Sequence, residues 1–288
     1  MLPPKPYRTY SQLITLLESR GMQIDDKARA ERKISQVGYY RLSGYWYPCR
    51  KLSREPNGNV ITQYGKPVRE DGFEPGTSFD AVFDLYLFDK KLRQLMLDGI
   101  ERIEVNVRTI IAHEVGKHDP LAYEMGEFIN PSQRKTFIAQ NKQIRNIWNE
   151  WLIEQQRKLS RSREDCIVWH KNTKKSIPFW VAVEAWDFGT MSKYFEILKK
   201  AHQNKIAAKL QVVNPRSLSG WLKEINTLRN RCAHHTRIWN QASSNPITLE
   251  NNHYFNNLGI STAGSKKLYG LIAVIWYLIQ HIGPNSQW

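Results

Sequence analysis

The chain has 288 residues, enough to bury a real core, and its 42 Lys and Arg against 27 Asp and Glu give a formal charge of +15 and a pI near 9.7. Such a balance points to a polyanionic partner, nucleic acid or an anionic surface. It comes with no apolar run long enough for a membrane span, since the longest, residues 268–279, is short and interrupted by Gly270.

Met1 to Pro6 lack the apolar core of a secretory leader, and Cys49, Cys166 and Cys232 form no CxxC pair. A soluble cytoplasmic protein in a reducing compartment is expected, without disulfide framework, structural metal or membrane partner. The charge is concentrated: residues 130–240 carry 21 Lys and Arg against 8 Asp and Glu, a net of +13. A segmental bias of that size favours a polyanion-facing side over an ordinary solvated surface.

In chain order, Tyr10-Ser11-Gln12-Leu13 opens a helix, and Asp25-Asp26 caps a second that runs over residues 27–37. Residues 50–78 turn to Gly, Pro and Asn, with Asn57-Gly58 marking a hairpin turn in a small β insertion. Residues 80–115 read as helix: Leu85, Phe88, Leu92, Leu95, Met96, Ile103, Val107, Ile110 and Ile111 recur at three- and four-residue steps as one apolar stripe. Asp89/Arg93, Asp98/Arg102 and Glu104/Arg108 add acid-before-base pairs that support a helix without requiring a function. It is one rod of about 50 Å or two stacked helices with a kink.

Asn130-Pro131 reads as the start of another helix carrying Phe137, Ile144, Trp148, Trp151 and Leu152. Residues 157–175 form its loop-like basic tail, in which Arg157, Lys158, Arg161, Arg163, Lys171, Lys174 and Lys175 face only Glu164 and Asp165. Pro178 opens a helix through Trp186, Gly189 interrupts, and residues 190–202 resume one. Beyond Asn214-Pro215, Leu218, Trp221, Leu222, Ile225, Leu228 and Cys232 make one apolar helical face. A loop over residues 241–264 and a final buried helix over residues 265–282 complete a mainly α chain, divided into an N-terminal helical segment (1–49), the β insertion (50–78) and a helical domain (79–288) with a basic insertion at about 130–175.

The stretch Leu228-Arg229-Asn230-Arg231-Cys232-Ala233-His234-His235 holds the candidate chemistry. At about 100° per residue Arg229 falls inside the apolar stripe, while Asn230 and His234 share the opposite side. An arginine cannot shed its charge, so a place in an apolar stripe calls for a partner or the edge of a site. Arg, His and an amide suffice for metal-independent RNA cleavage, in which a 2′-hydroxyl attacks its own neighbouring phosphate. Histidine moves the proton near neutral pH, arginine holds the phosphate and its extra transition-state charge, and the amide orients either. DNA, lacking the 2′-hydroxyl, would be spared. Arg231 and His235, also four apart, are a rival register that spacing leaves open.

His113-Glu114-Val115-Gly116-Lys117-His118 differs from a zincin motif by one extra residue, which takes the two histidines off a shared face, so no metal is expected from it. Tyr39, Tyr40, Arg41, Tyr45 and Trp46 have the make-up either of a core or of a base-stacking surface, with Tyr40 and Arg41 the candidates for RNA contact. No P-loop or dinucleotide motif is present, so no cofactor is called for.

Several blocks in this order resemble the AbiD/AbiF-like abortive-infection proteins of bacterial phage defence. They are Gly38-Tyr39-Tyr40-Arg41-Leu42-Ser43-Gly44-Tyr45-Trp46, Phe88-Asp89-Lys90-Lys91-Leu92-Arg93, Ile100-Glu101-Arg102-Ile103-Glu104, Pro178-Phe179-Trp180 with Phe188-Gly189, and residues 228–235 with Arg237-Ile238-Trp239-Asn240. The resemblance implies a HEPN-type helical bundle with additional helices and an Arg-x4-6-His ribonuclease motif, whose catalytic roles map onto Arg229, Asn230 and His234. It further implies a homodimer in which two such motifs meet, and association with a structured noncoding RNA. Arg231, His235 and Arg237 would join the basic residues above in holding that RNA. Two other readings stay open: an RNA-binding module without catalysis, and a protein-interaction module using the apolar helix at residues 268–279.

Overall fold

The computed structural model describes residues 3–243, 247–286 and 288. Of the sequence readings, the first two residues of the opening stretch and residues 244–246 of the loop after Gln241 lie outside it. The chain divides into two compact units, residues 1–92 and 93–288.

In the first unit, α1 (Tyr10–Ser19), α2 (Lys27–Val37) and α3 (Tyr39–Trp46) pack in succession around Ile14, Leu17, Ile34, Leu42, Tyr45 and Trp46, each no more than 3% exposed. Thr9 and Gln12 close a reciprocal capping box on α1, and Asp26 caps α2 by accepting from the Arg29 N–H. The β insertion consists of β1 (Arg50–Leu52), β2 (Thr62–Gln63), β3 (Lys66–Pro67) and β4 (Arg69–Phe73), paired antiparallel as β1 with β4 and β2 with β3. Its first turn is the expected one: Gly58 sits at φ +85°, and Arg54 bridges Val60.

The segment forms one continuous helix, α4 (Phe79–Gly116), rather than two. Its buried seam is narrower than the sequence stripe. Met96, Ile103, Val107 and Ile111 are buried, whereas Phe88 and Leu95 are about half exposed. Asp89 is fully buried instead, and its carboxylate accepts from the Tyr45 hydroxyl at 2.6 Å. Periodicity counted apolar residues, but a paired carboxylate took the inward position.

In the second unit the segment after Asn130 departs from expectation. Asn130 caps only a 3-10 turn, Pro131–Arg134, and the chain then forms the hairpin β5 (Phe137–Ile138) and β6 (Ile144–Arg145), turning at Lys142 with φ +64°. Phe137, Ile138 and Ile144 are therefore exposed rather than part of a helical face. The helix α5 (Ile147–Arg161) starts at Asn146, whose side chain accepts from the Asn149 N–H, and it buries Trp148 and Trp151. Residues 157–175 are not a loop either: α5 runs to Arg161 and α6 covers Asp165–Asn172. Lys171 Nζ closes the gap by donating to the carbonyls of Ser160 and Ser162.

The short α7 (Phe179–Ala182) passes into a 3-10 turn ending at Ala185, and α8 (Phe188–Ile197) contains Gly189 instead of breaking there. The break falls at Leu198–Lys199, before α9 (Lys200–Lys209). Next come α10 (Pro215–Ala233), α11 (His253–Leu258), placed within the expected long loop, and α12 (Leu268–Ile282). The rings of Tyr123, Trp151, Phe179, Trp186 and Tyr194 form one aromatic cluster with nearest centroids 4.7–5.5 Å apart. Burial raises the Tyr194 phenol well above its ordinary range. No helix among the described residues is long and apolar enough to cross a membrane.

α12 is held close to the turn before it by Gly270. A Cβ there would stand 2.8 Å from Ser265 Cα and 3.0 Å from its carbonyl oxygen, both main-chain atoms that no side-chain rotation can move aside. Gly270→Ala is therefore expected to lower unfolding stability by about 1–3 kcal/mol, read as a shift in the denaturation midpoint at unchanged slope.

Candidate active site

The apolar face of α10 seats the helix against α8, α9 and α12, with Leu218, Trp221, Leu222 and Ile225 fully buried. Asn214 caps its start, Pro215 occupies the first turn, and Trp221 Nε1 donates to the Thr248 carbonyl at 2.8 Å. These contacts fix the position of its last turn, which carries the candidate residues.

That last turn ends one residue before the candidate histidine. His234 is the C-cap, at φ −87° and ψ 11°, and its N–H still donates to Asn230 O at 2.9 Å. His235 adopts a left-handed φ of +56°, its N–H donating to Cys232 O at 3.0 Å, and the Thr236 N–H donates to Arg231 O at 2.8 Å. The pattern is a Schellman closure with histidine where glycine is the common choice. His234 and His235 are both exposed, as is Asn230.

Arg229 is half-buried, as its place in the apolar stripe requires, and its Nη1 lies 3.4 Å from Asn230 Oδ1. Its field reaches Glu104 on α4. Burial holds the Glu104 carboxyl above its ordinary range, while Arg108 and then Arg229 pull the other way. Arg108 stands 3.8 Å from Glu104, and its Nη1 donates to the carbonyls of Val183 at 3.2 Å and Trp186 at 3.1 Å. Asp187 caps α8 by accepting from the backbone N–H and hydroxyl of Thr190, both at 2.8 Å, and pairs with Lys158 of α5. Burial raises the Asp187 carboxyl, but the Lys158 and Thr190 bonds outweigh it and hold the carboxyl below its ordinary range.

Gly189 brings α8 against α10. A Cβ there would meet the Asn226 side chain at 3.4 Å and Asp187 Oδ1 at 3.6 Å. Asn226 lies one turn before Arg229 and Asn230. Beside Gly189, a cleft of about 470 Å³ is bounded by Arg145, Trp151, Lys158, Asp187, Thr190 and Lys193. Glu104 lies within the field of Arg229, and Asn226, one turn before it, packs against Gly189, although sequence reasoning assigned none of these, nor Arg108 or Asp187, a part in the site. Glu104 and Arg108 had registered only as a helix-stabilising pair, and nothing local in the sequence marks Asp187 or Asn226.

Arg231 Nη1 reaches the Ala242 carbonyl at 3.4 Å and so ties the chain after α10 back to it, while Arg237, beyond α10, lies beside the Gln241 amide. Of the basic insertion, Arg157 grips Glu154, Lys158 pairs with Asp187, Lys171 caps α5, and Lys175 lies 4.7 Å over the Trp169 ring. Lys174 has φ +55° in the turn after α6. Arg161 and Arg163 flank a second cleft of about 310 Å³, together with Arg157 and Lys158. In the first unit, Tyr40 and Arg41 are exposed, and Tyr40 lines a cleft of about 620 Å³ with Tyr7, Arg8, Tyr39, Tyr47 and Arg50. Tyr45 and Trp46 belong to the core.

A family model described as Abi-like protein matches residues 32–240, well over half of the chain. The chain belongs to the Abi-like family. At that level it is an abortive-infection protein, and the match takes in α3, α4 and the whole of α10 with its closing turn. No curated protein and no solved structure gives a significant match.

Proposed function

We propose that this Abi-like protein is a homodimeric, metal-independent endoribonuclease of the HEPN type that works in association with a structured noncoding RNA in phage defence. The observation that carries the reading is the placement of Arg229, Asn230 and His234 in the last turn and C-cap of α10, inside the family-matched stretch and following Asn226, which packs against Gly189. The 2′-oxygen of RNA forms a bond to the adjacent phosphorus, and the bond from phosphorus to the 5′-oxygen breaks. A cyclic phosphate and a 5′-hydroxyl result. His234 takes the 2′-proton or protonates the leaving oxygen, with the second copy supplying the complementary group, and Arg229 holds the phosphate.

The field of Glu104 on Arg229 favours a second reading. A guanidinium partly balanced by a carboxylate binds phosphate more weakly, which suits an RNA-binding module without catalysis. Purification without nuclease treatment, followed by sequencing of RNA retained through a high-salt wash, is expected to give one abundant, discrete species. A smear of fragments ending in cyclic phosphate would instead indicate a free nuclease, and absence of RNA would overturn both readings.

A further inference from the structure

The C-terminal turn of α4 and the start of α9 converge on three side chains outside the site above. Glu114, His118 and His202 each direct one ligand atom into a common space, all within 4.8 Å of one another. Glu114 lies in the last turn of α4 and His118 two residues past its end, where the His118 N–H donates to Val115 O at 3.1 Å, and α9 brings His202 to them. His113 takes no part, so the cluster is not the zincin pattern that the sequence spacing excluded.

Two features distinguish the cluster from an ordinary buried counter-ion. The Glu114 side chain is only 3% exposed, and its Oε1 accepts no hydrogen bond. His202 Nδ1 is likewise buried without a hydrogen-bond partner, 3.9 Å from that same oxygen. A lone pair on carboxylate oxygen thus faces an imidazole nitrogen across a gap too wide for a shared proton. Tetrahedral zinc, with bonds of about 2.0–2.2 Å, spaces its ligand atoms only a little closer than this. The cationic surroundings are exposed ammonium groups: Lys117 donates to Oε2 at 2.8 Å, while Lys205 at 3.7 Å from Oε1 and Lys209 at 3.8 Å from Oε2 stand beyond hydrogen-bond length. Lys117 leaves Oε1 available, and the other two can withdraw into solvent. Phe128 packs on both imidazoles, with centroids 6.0 Å from His118 and 5.7 Å from His202, and closes one side of the space.

We propose that Glu114, His118 and His202 bind one divalent transition-metal ion of the zinc class, which clamps the end of α4 to α9. Two neutral imidazoles and a carboxylate are a zinc donor set, with water completing four-coordination. The site is independent of the ribonuclease reading, since none of its residues belongs to that machinery.

The test uses the full-length protein, stripped with chelator, dialysed, and titrated with zinc. About one zinc per chain by elemental analysis, together with a rise in Tm on adding zinc, is the expected result. His118→Gln and His202→Gln should each weaken zinc affinity by more than about 100-fold, beyond the ~10–100-fold that loss of an outer partner costs. A His234→Ala/His235→Ala double variant should still bind one zinc. Should the stripped protein take up no zinc, or should both glutamine variants bind it as the parent does, the proposal fails. Circular dichroism confirms folding, and the exposed position of His118 gives a variant that keeps the test valid if His202→Gln does not fold.

Discussion

Arg229→Ala and His234→Ala are each expected to abolish RNA cleavage by the purified protein while leaving RNA affinity near that of the parent, and His234→Ala, at an exposed residue, should leave Tm unchanged as well. Removing a general acid or base costs about 10²–10⁴-fold in rate, and removing a transition-state charge clamp costs about 10²–10³-fold. Both losses would take a slow nuclease below detection. The basic residues elsewhere would hold the RNA, because affinity from phosphate contacts is spread over many cations. The measurement is single-turnover cleavage with analysis of the new ends, alongside binding at two salt concentrations. Arg231→Ala is the internal control: its guanidinium contacts the Ala242 carbonyl, so its loss should lower stability more than chemistry. Cleavage that persists in both Arg229 and His234 variants would leave only the binding-module reading.

The second large effect is structural. Arg108→Ala is expected to lower unfolding stability by about 3–5 kcal/mol, the usual cost of removing one partner from a buried pair. The side chains of Arg108 and Glu104 are only 16% and 14% exposed, so solvent does little to replace what is lost. The variant would leave the carbonyls of Val183 and Trp186 without their donor, and Glu104 with Arg229 alone to balance it. The pH dependence has a definite sign. Because the folded Glu104 carboxyl already titrates above its ordinary 4.5, the folded state holds its proton longer than the unfolded one does. Stability tied to this group is therefore fully present below 4.5 and falls as pH rises through the folded value. Losing Arg108 raises that value further, so the destabilisation should be greater at neutral pH than at acid pH. Denaturant midpoints across the range measure it, and a pH-independent loss would show that the carbonyl contacts dominate.

Much of the fold was legible because its helices are written in local signals. Asp26 and Asn214 act as caps in the structure, and the apolar faces of α4 and α10 carry the three- and four-residue spacing that marks them. The hairpin at Phe137–Arg145 was not legible, since Phe137, Ile144 and Trp148 match a helical period by chance while Lys142 takes a left-handed turn that lysine does not announce. The basic run over residues 157–175 reads as a loop only if charge is taken for disorder. Its ion pairs and its cation over Trp169 order it instead. At the site, sequence supplied the residues of one helix end, since they are contiguous. Glu104, Asp187 and Asn226 come from three separate helices or their caps, and no spacing rule joins residues so far apart in the chain. The same limit applies to His202, which becomes visible beside Glu114 and His118 only once α9 folds against the end of α4.

The closure of α10 separates where its histidines stand from what they do. The turn is formed by main-chain bonds from the N–H groups of His235 and Thr236, so the position of the His234 backbone does not depend on its imidazole. A side-chain exchange at His234 therefore changes the chemistry offered there without moving the scaffold that offers it. An inserted or deleted residue between Arg229 and His234 would do the reverse, keeping every functional group but rotating the helix end out of phase with the turn. The two kinds of change form a natural pair, one removing the reagent and the other the aim.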